Sequence, residues 1–232
     1  MLNEEASLLN IRFLRNGLLL AIGSTSGALF SILVGSKVFY RIASHQGKQG
    51  PALAHGGGWI RESSGRLRKI PLMLDWMRLR AGERVLELGA GTGQFTILAA
   101  RRLGHKGRLY AFDIQPEMIA RVQQKVNAAQ LTNVHTQVAA AYELPLDDCS
   151  IDKAMLVNVL PEIPDHQRAL HEVARVLQPH GTLYISEEFS EPGYWFISET
   201  IRRVEQTGQF VLSTQRGNWW RYTLGFRKRI HA

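Results

Sequence analysis

The chain has 232 residues, 45% of them hydrophobic, and its 28 Lys and Arg against 20 Asp and Glu give a formal net charge of +8. That length holds one full α/β domain plus a short extension. The single cysteine, Cys149, excludes an internal disulfide and a cysteine-rich metal site, and the positive charge suits an anionic partner, either a phospholipid surface or nucleic acid.

The first element in chain order is an uncharged apolar run over residues 17–36. About 20 such residues match a bilayer-spanning helix. Arg12 and Arg15 flank it on one side, Lys37 and Arg41 on the other, with Phe39 and Tyr40 at the expected interface. Residues 1–43 read as a retained transmembrane anchor. A cleavable signal ending near Val34-Gly35-Ser36 and a buried or interfacial helix are competing readings. Lys37, Arg41 and Lys48 outnumber Arg12 and Arg15, which places the rest of the chain on the cytoplasmic side of the membrane. Gly23, Gly27, Ser31 and Gly35 recur every four residues and form a small-residue stripe. The stripe admits close approach of another helix, a second copy of this chain included; the glycine tolerance of membrane helices accounts for it equally.

Residues 44–69 read as a linker. Within it, His55-Gly56-Gly57-Gly58-Trp59 fits either a lid in which His55 or Trp59 touches a ligand, or a plain flexible hinge. Arg61, Arg66, Arg68, Lys69, Arg78 and Arg80 follow, interleaved with Leu67, Ile70, Leu72, Leu74 and Trp76. This cluster suits anionic headgroups, or is a solvated helix face.

From residue 70 onward the pattern alternates. Strands are predicted near 84–88, 108–112, 134–138, 152–157 and 182–186, and helices near 94–103, 116–129 and 165–177. Such alternation implies a parallel sheet with helices on both faces, and ligands at the strands' carboxyl ends. A helix near 195–206 and strands near 209–214 and 219–227 complete the chain, with Trp219, Trp220 and Tyr222 expected to pack there.

The most specific segment is Val85-Leu86-Glu87-Leu88-Gly89-Ala90-Gly91-Thr92-Gly93. It reads as a buried strand running into a glycine-rich turn and then a helix, so bare backbone approaches a ligand. A dinucleotide turn needs G-x-G-x-x-G, but here the third glycine comes one residue early and Gln94 takes its place. No Gly-Lys-Ser/Thr follows, which excludes a Walker loop. A pyrophosphate disfavours a carboxylate such as Glu87 beside the turn, whereas the ammonium and sulfonium of S-adenosylmethionine favour one. Asp113 lies 24 residues beyond Gly89, close to the ~20-residue offset of a ribose-binding acid. Its alternative role is to cap the helix beginning near Pro116.

Glu87-Leu88-Gly89-Ala90-Gly91-Thr92-Gly93 resembles motif I of the class I S-adenosylmethionine-dependent methyltransferases, and Asp113-Ile114-Gln115-Pro116-Glu117-Met118 resembles the next motif. The segments 143–152 and 175–183 resemble the subgroup containing ubiquinone and menaquinone biosynthesis methyltransferases, with His180 where glycine is usual. The resemblance covers about residues 70–228. It implies an α/β, Rossmann-like seven-stranded methyltransferase sheet, mostly parallel with the last strand antiparallel, with helices on both faces. It assigns residues 70–232 to the methyltransferase domain. S-adenosyl-L-methionine would be held by Glu87 near its amino group and by Gly89, Ala90, Gly91 and Gly93 along its methionine part. Asp113 would take the ribose, and Ile114, Ala141 and Leu144 the adenine. The family's aspartate toward the adenine amino group is absent, since Ala140 stands there; Tyr142 or Glu143 is the expected substitute, or the stretch is a plain surface loop.

Methyl transfer needs alignment and, for some acceptors, a base. Asn158, after the fourth strand, is expected to touch the cofactor and the acceptor side, or else to cap its turn. Among Glu187, Glu188 and Glu191, Glu188 is taken as the candidate base or amine contact, with His55 as the other base. The histidines show no ligand spacing, so no metal is expected. The expected acceptor is small and lipophilic or membrane-partitioned, a quinone precursor or a phospholipid. An RNA or protein methyltransferase and a non-catalytic cofactor-binding scaffold are the alternatives. Nucleic acid is disfavoured because Leu160-Pro161 stands where a base-handling Asn-Pro-Pro-Tyr motif belongs.

Overall fold

The computed structural model describes residues 70–191 and 193–230. The anchor reading of 17–36, the 23/27/31/35 stripe, His55, Trp59 and the first four basic residues of the cluster lie outside the described residues. No helix among the described residues is long and apolar enough to cross a membrane.

The elements are α1 (Ile70–Trp76), β1 (Arg84–Leu88), α2 (Gln94–Leu103), β2 (Arg108–Asp113), α3 (Pro116–Ala128), β3 (Val134–Val138), β4 (Ile151–Val157), a 3-10 turn (Leu160–Glu162), α4 (His166–Val176), β5 (Leu177–Glu188), α5 (Ile197–Glu205), β6 (Phe210–Asn218) and β7 (Arg221–Lys228). They build one seven-stranded sheet in the order β3-β2-β1-β4-β5-β7-β6. β1 to β5 pair in parallel, and β7 runs antiparallel to both β5 and β6. The strand order reverses between β1 and β4, so the switch-point crevice opens at their carboxyl ends.

Alternation along the buried strands sends side chains to two cores. Leu86, Leu88, Leu156, Leu183, Ile185, Tyr222 and Leu224 meet α4 and α5 through Leu170, Val173 and Val204. Val85, Leu109, Met155 and Tyr184 meet α1 and α2 through Ile70, Leu74, Ala99 and Leu103. Two of the five interleaved apolar residues at 67–76 are thereby explained: Ile70 and Leu74 are core, while Leu72 remains exposed.

The crossover from β3 to β4 contains no helix, although parallel crossovers usually carry one. Arg175 holds the loop in its place. Its guanidinium donates to the carbonyls of Leu144 (3.1 Å) and Leu146 (2.9 Å) and to the carboxylates of Glu172 (2.7 Å) and Asp148 (2.5 Å). The Arg175 guanidinium in turn holds the Glu172 carboxyl below its ordinary value.

Two element boundaries differ from the sequence expectation. β5 begins at Leu177, five residues early, and irregular pairing between Ile151 and Lys153 accommodates His180 at φ 66°, the left-handed region that favours glycine. Trp219 and Trp220 are not strand residues. They form the β6–β7 turn, where Asn218 Oδ1 accepts the N–H of Trp220 (3.0 Å). Trp219 is 59% exposed, so only Tyr222 packs in the core as expected.

Candidate functional site

The glycine turn hangs from β1 over the crevice, and its three glycines do different work. A Cβ on Gly89 (φ +78°) would stand 2.3 Å from Val159 Cγ2, and one on Gly93 (φ +78°) 3.2 Å from Val122 Cγ2. These two glycines admit neighbouring protein. Gly91 (φ +53°) has nothing within 4 Å of its missing Cβ, so it borders open space where a ligand fits. Ala90 turns its side chain into a small core with Ala111, Val122 and Val126, which leaves only its backbone to a ligand.

The turn's N–H groups are largely spent inside the protein. Gly89 (2.7 Å) and Ala90 (3.0 Å) donate to Phe112 O, Gly93 to Ala90 O (3.0 Å), and Gly91 to Asp113 Oδ2 (2.8 Å). A pyrophosphate-binding turn needs such donors free. Behind the turn, Glu87 is 4% exposed and accepts from Thr96 Oγ1 at 2.6 Å. Burial pushes its carboxyl up to about 8; the Thr96 hydroxyl opposes that rise and the Asp113 charge adds to it. A buried acid behind donor-poor backbone accommodates a cationic ligand, so these residues fit S-adenosylmethionine. Thr96, on the first turn of α2, was not singled out from the sequence; its i+9 position after a strand glutamate carries no local signal.

Asp113 does more than the sequence suggests. Besides holding Gly91, its Oδ1 accepts from Gln115 N (3.0 Å), while α3 takes Gln115 rather than Asp113 as its N-cap. Each carboxylate oxygen retains acceptor capacity for a ribose hydroxyl. Ile114 beside it is 57% exposed, as an adenine platform requires.

The structure commits the side chains of two adenine-side residues, Leu144 and Tyr142, to other contacts. Leu144 is buried in the main core, and its N–H donates to Glu172 Oε1 (2.7 Å), so its side chain is committed to packing. The Tyr142 hydroxyl accepts from Asp165 N (3.1 Å) and its ring lies under Arg168, so it is occupied at the start of α4. Ala141 is partly buried against the same core.

On the acceptor side, Asn158 adopts φ 56° and latches two strands: its N–H donates to Ser186 O (2.8 Å) and its Oδ1 accepts from Glu188 N (2.8 Å). The turn-holding alternative is therefore the geometry seen. Glu188 is ion-paired with Arg221, which removes it as the base of choice. Its neighbour Glu187 is 1% exposed, with Oε1 lacking a hydrogen-bond partner among the described residues. Strand parity carries no signal for it, since residues 183–187 of β5 are buried on both faces. Phe189 meets Tyr194, Trp219 and Trp220 ring to ring along this edge, so its rim is aromatic and partly exposed.

Residues 86–185 match the family model described as a methyltransferase domain. The match covers less than half of the chain; with the strand order it makes residues 86–185 similar to a methyltransferase domain, and S-adenosyl-L-methionine is the cofactor that the site fits. The chain is 33% identical over 145 residues to the ubiquinone/menaquinone biosynthesis C-methyltransferase UbiE of Vibrio cholerae, covering 62% of this chain and 54% of that one. It is 34% identical over 116 residues to the demethylmenaquinone methyltransferase of Bacillus mycoides, covering 50% and 48%. It thus spans about half the length of these curated relatives. The fold is shared with an S-adenosylmethionine-dependent methyltransferase from Aquifex aeolicus (TM-score 0.69, 22% identity, 74% of this chain and 97% of that one). It is also shared with the [4+2]-cyclase SpnF (TM-score 0.64, 17% identity, 84% and 97%).

Proposed function

We propose that this chain is an S-adenosylmethionine-dependent methyltransferase whose acceptor is a lipophilic, reduced quinone precursor methylated at carbon. The observation that carries the activity is the glycine turn at the switch point, with its N–H groups satisfied and the buried Glu87 behind it. The bound cofactor supplies an activated methyl group on a sulfonium. The chain's own contribution is to fix Gly91 and Asp113 at the donor side and the Asn158 loop at the acceptor side. The acceptor class is supported by the two quinone-pathway relatives and by the aromatic rim around Phe189, Trp219 and Trp220.

Residues 17–36 are the proposed membrane anchor, which brings a bilayer-dissolved acceptor within reach and keeps the site on the cytoplasmic side. The test is incubation of the full chain with methyl-labelled S-adenosylmethionine and either a 2-prenyl-1,4-naphthoquinol or phospholipid vesicles. Label on a ring carbon of the quinol is expected. Label only in the vesicles replaces the quinol by a phospholipid, and label only in added RNA or protein overturns a lipophilic acceptor.

A further inference from the structure

Glu187 ends the buried part of β5 on the face of α4 and α5, in register with Tyr222 of β7. The pairing of Leu88 with Leu156 and of Val157 with Ser186 sets Glu187 level with the glycine turn, across β4. Two strand spacings separate them, about 10 Å. Its side chain is 1% exposed, yet Oε1 has no hydrogen-bond partner among the described residues. A buried carboxyl oxygen left without a partner is costly, so the position implies a use.

Its surroundings hold no cation aimed at it. Glu162 from the 3-10 turn and Glu191 from the segment after β5 both act on it, and both raise its affinity for a proton, as burial does. Tyr194 and Tyr222 are the other titratable groups beside it, and its charge raises both of theirs. Of the arginines on the adjoining elements, Arg221 pairs with Glu188, its buried Nε having no partner among the described residues, and Arg203 of α5 pairs with Glu199.

We propose that the Glu187 carboxylate is the general base that takes the proton lost by the methyl acceptor. The inference rests on the methyltransferase reading above. In the step, the acceptor atom bonds to the methyl carbon as the methyl–sulfur bond breaks, and that bond's electron pair stays on sulfur. The acceptor's proton passes to Glu187 Oε1 and from there to solvent. A carboxylate crowded by two others holds a proton readily, and a cation arriving in the crevice favours its ionised form. The donor's positive charge opposes the effect of burial and of the two neighbouring carboxylates, and that opposition ends as the charge on sulfur disappears.

Two measurements test this on the full chain. Calorimetry in buffers of different ionisation enthalpy compares proton release on binding S-adenosylmethionine and S-adenosylhomocysteine, which share the ammonium and differ in the sulfonium. The wild type is expected to release more protons with S-adenosylmethionine, and Glu187→Gln to show no such excess. No excess in the wild type, or a retained excess in Glu187→Gln, overturns the assignment. In the second measurement, methyl transfer to 2-prenyl-1,4-naphthoquinol is expected to slow about 100-fold or more in Glu187→Gln. S-adenosylhomocysteine affinity should be unchanged, and Glu187→Asp should partly restore turnover. A wild-type rate in Glu187→Gln also overturns the assignment. A wild type inactive on this quinol overturns the acceptor class alone, while the proton release still decides Glu187.

Discussion

Asp113 accepts the backbone N–H of Gly91 at 2.8 Å, across 22 residues of chain, and so pins the tip of the glycine turn to the end of β2. The shape of the turn is thereby set by a carboxylate whose oxygens each keep further acceptor capacity. Asp113→Ala removes that clamp and the bond to Gln115 N, each charge-assisted and contributing about 1.5–3 kcal/mol. S-adenosylhomocysteine affinity should fall at least tenfold by calorimetry, with the sheet intact by circular dichroism. Asp113→Asn should retain part of both effects. Wild-type affinity in Asp113→Ala would falsify the placement of the donor at this turn.

Gly91 and Gly89 predict two different outcomes. Gly91→Arg puts a side chain into the open space above the turn and should abolish cofactor binding while the melting temperature shifts little. Gly89→Ala drives a methyl into Val159 and should destabilise the fold by roughly 1–3 kcal/mol. Val159→Ala in the same chain should recover part of that loss, which thermal melts of the single and double variants can measure.

The raised carboxyl of Glu87 makes stability depend on pH in an unusual direction. Folding favours its protonated form, so the folded chain binds more protons than the unfolded chain between about 4.5 and about 8. Stability should therefore fall as pH rises through that window. His166, held low first by burial and then by the Arg203 charge, contributes the opposite slope near and below its ordinary value of 6.5. Melts of the cofactor-free chain between pH 6.5 and 8 read the buried acids, to which Glu187 adds a slope of the same sign. Glu87→Gln should make the profile shallower there, and a slope as steep as the wild type's would contradict the burial of an acid at this position.

Arg175 predicts a loop phenotype. Arg175→Lys keeps the charge but loses the planar fork that reaches two carbonyls and two carboxylates. A loss of about 2 kcal/mol is expected, since Asp148 is largely exposed and its share is screened by solvent. Hydrogen exchange should rise first at residues 144–150; uniform exchange across the domain would contradict a local clamp.

Much of this architecture was legible because the strands are buried on both faces and bounded by turn residues, which fixes β1, β2 and β4 to within a residue or so. The glycine turn was legible for the same reason: few sequences can make it. What stayed hidden was contact over distance. Nothing local links Thr96 to Glu87, or Arg175 to Leu144. The pairing of Glu188 with Arg221 spans 33 residues of chain, so no local pattern announced it. The Trp219-Trp220 turn was missed because two large aromatics resemble a strand, although Gly217-Asn218 before them is a turn signature.

Val159 rests directly on the backbone of Gly89, with no side chain between them. The glycine turn and the loop after β4 therefore share one surface. Enlarging either side of that contact displaces the other, so the two segments cannot be altered independently.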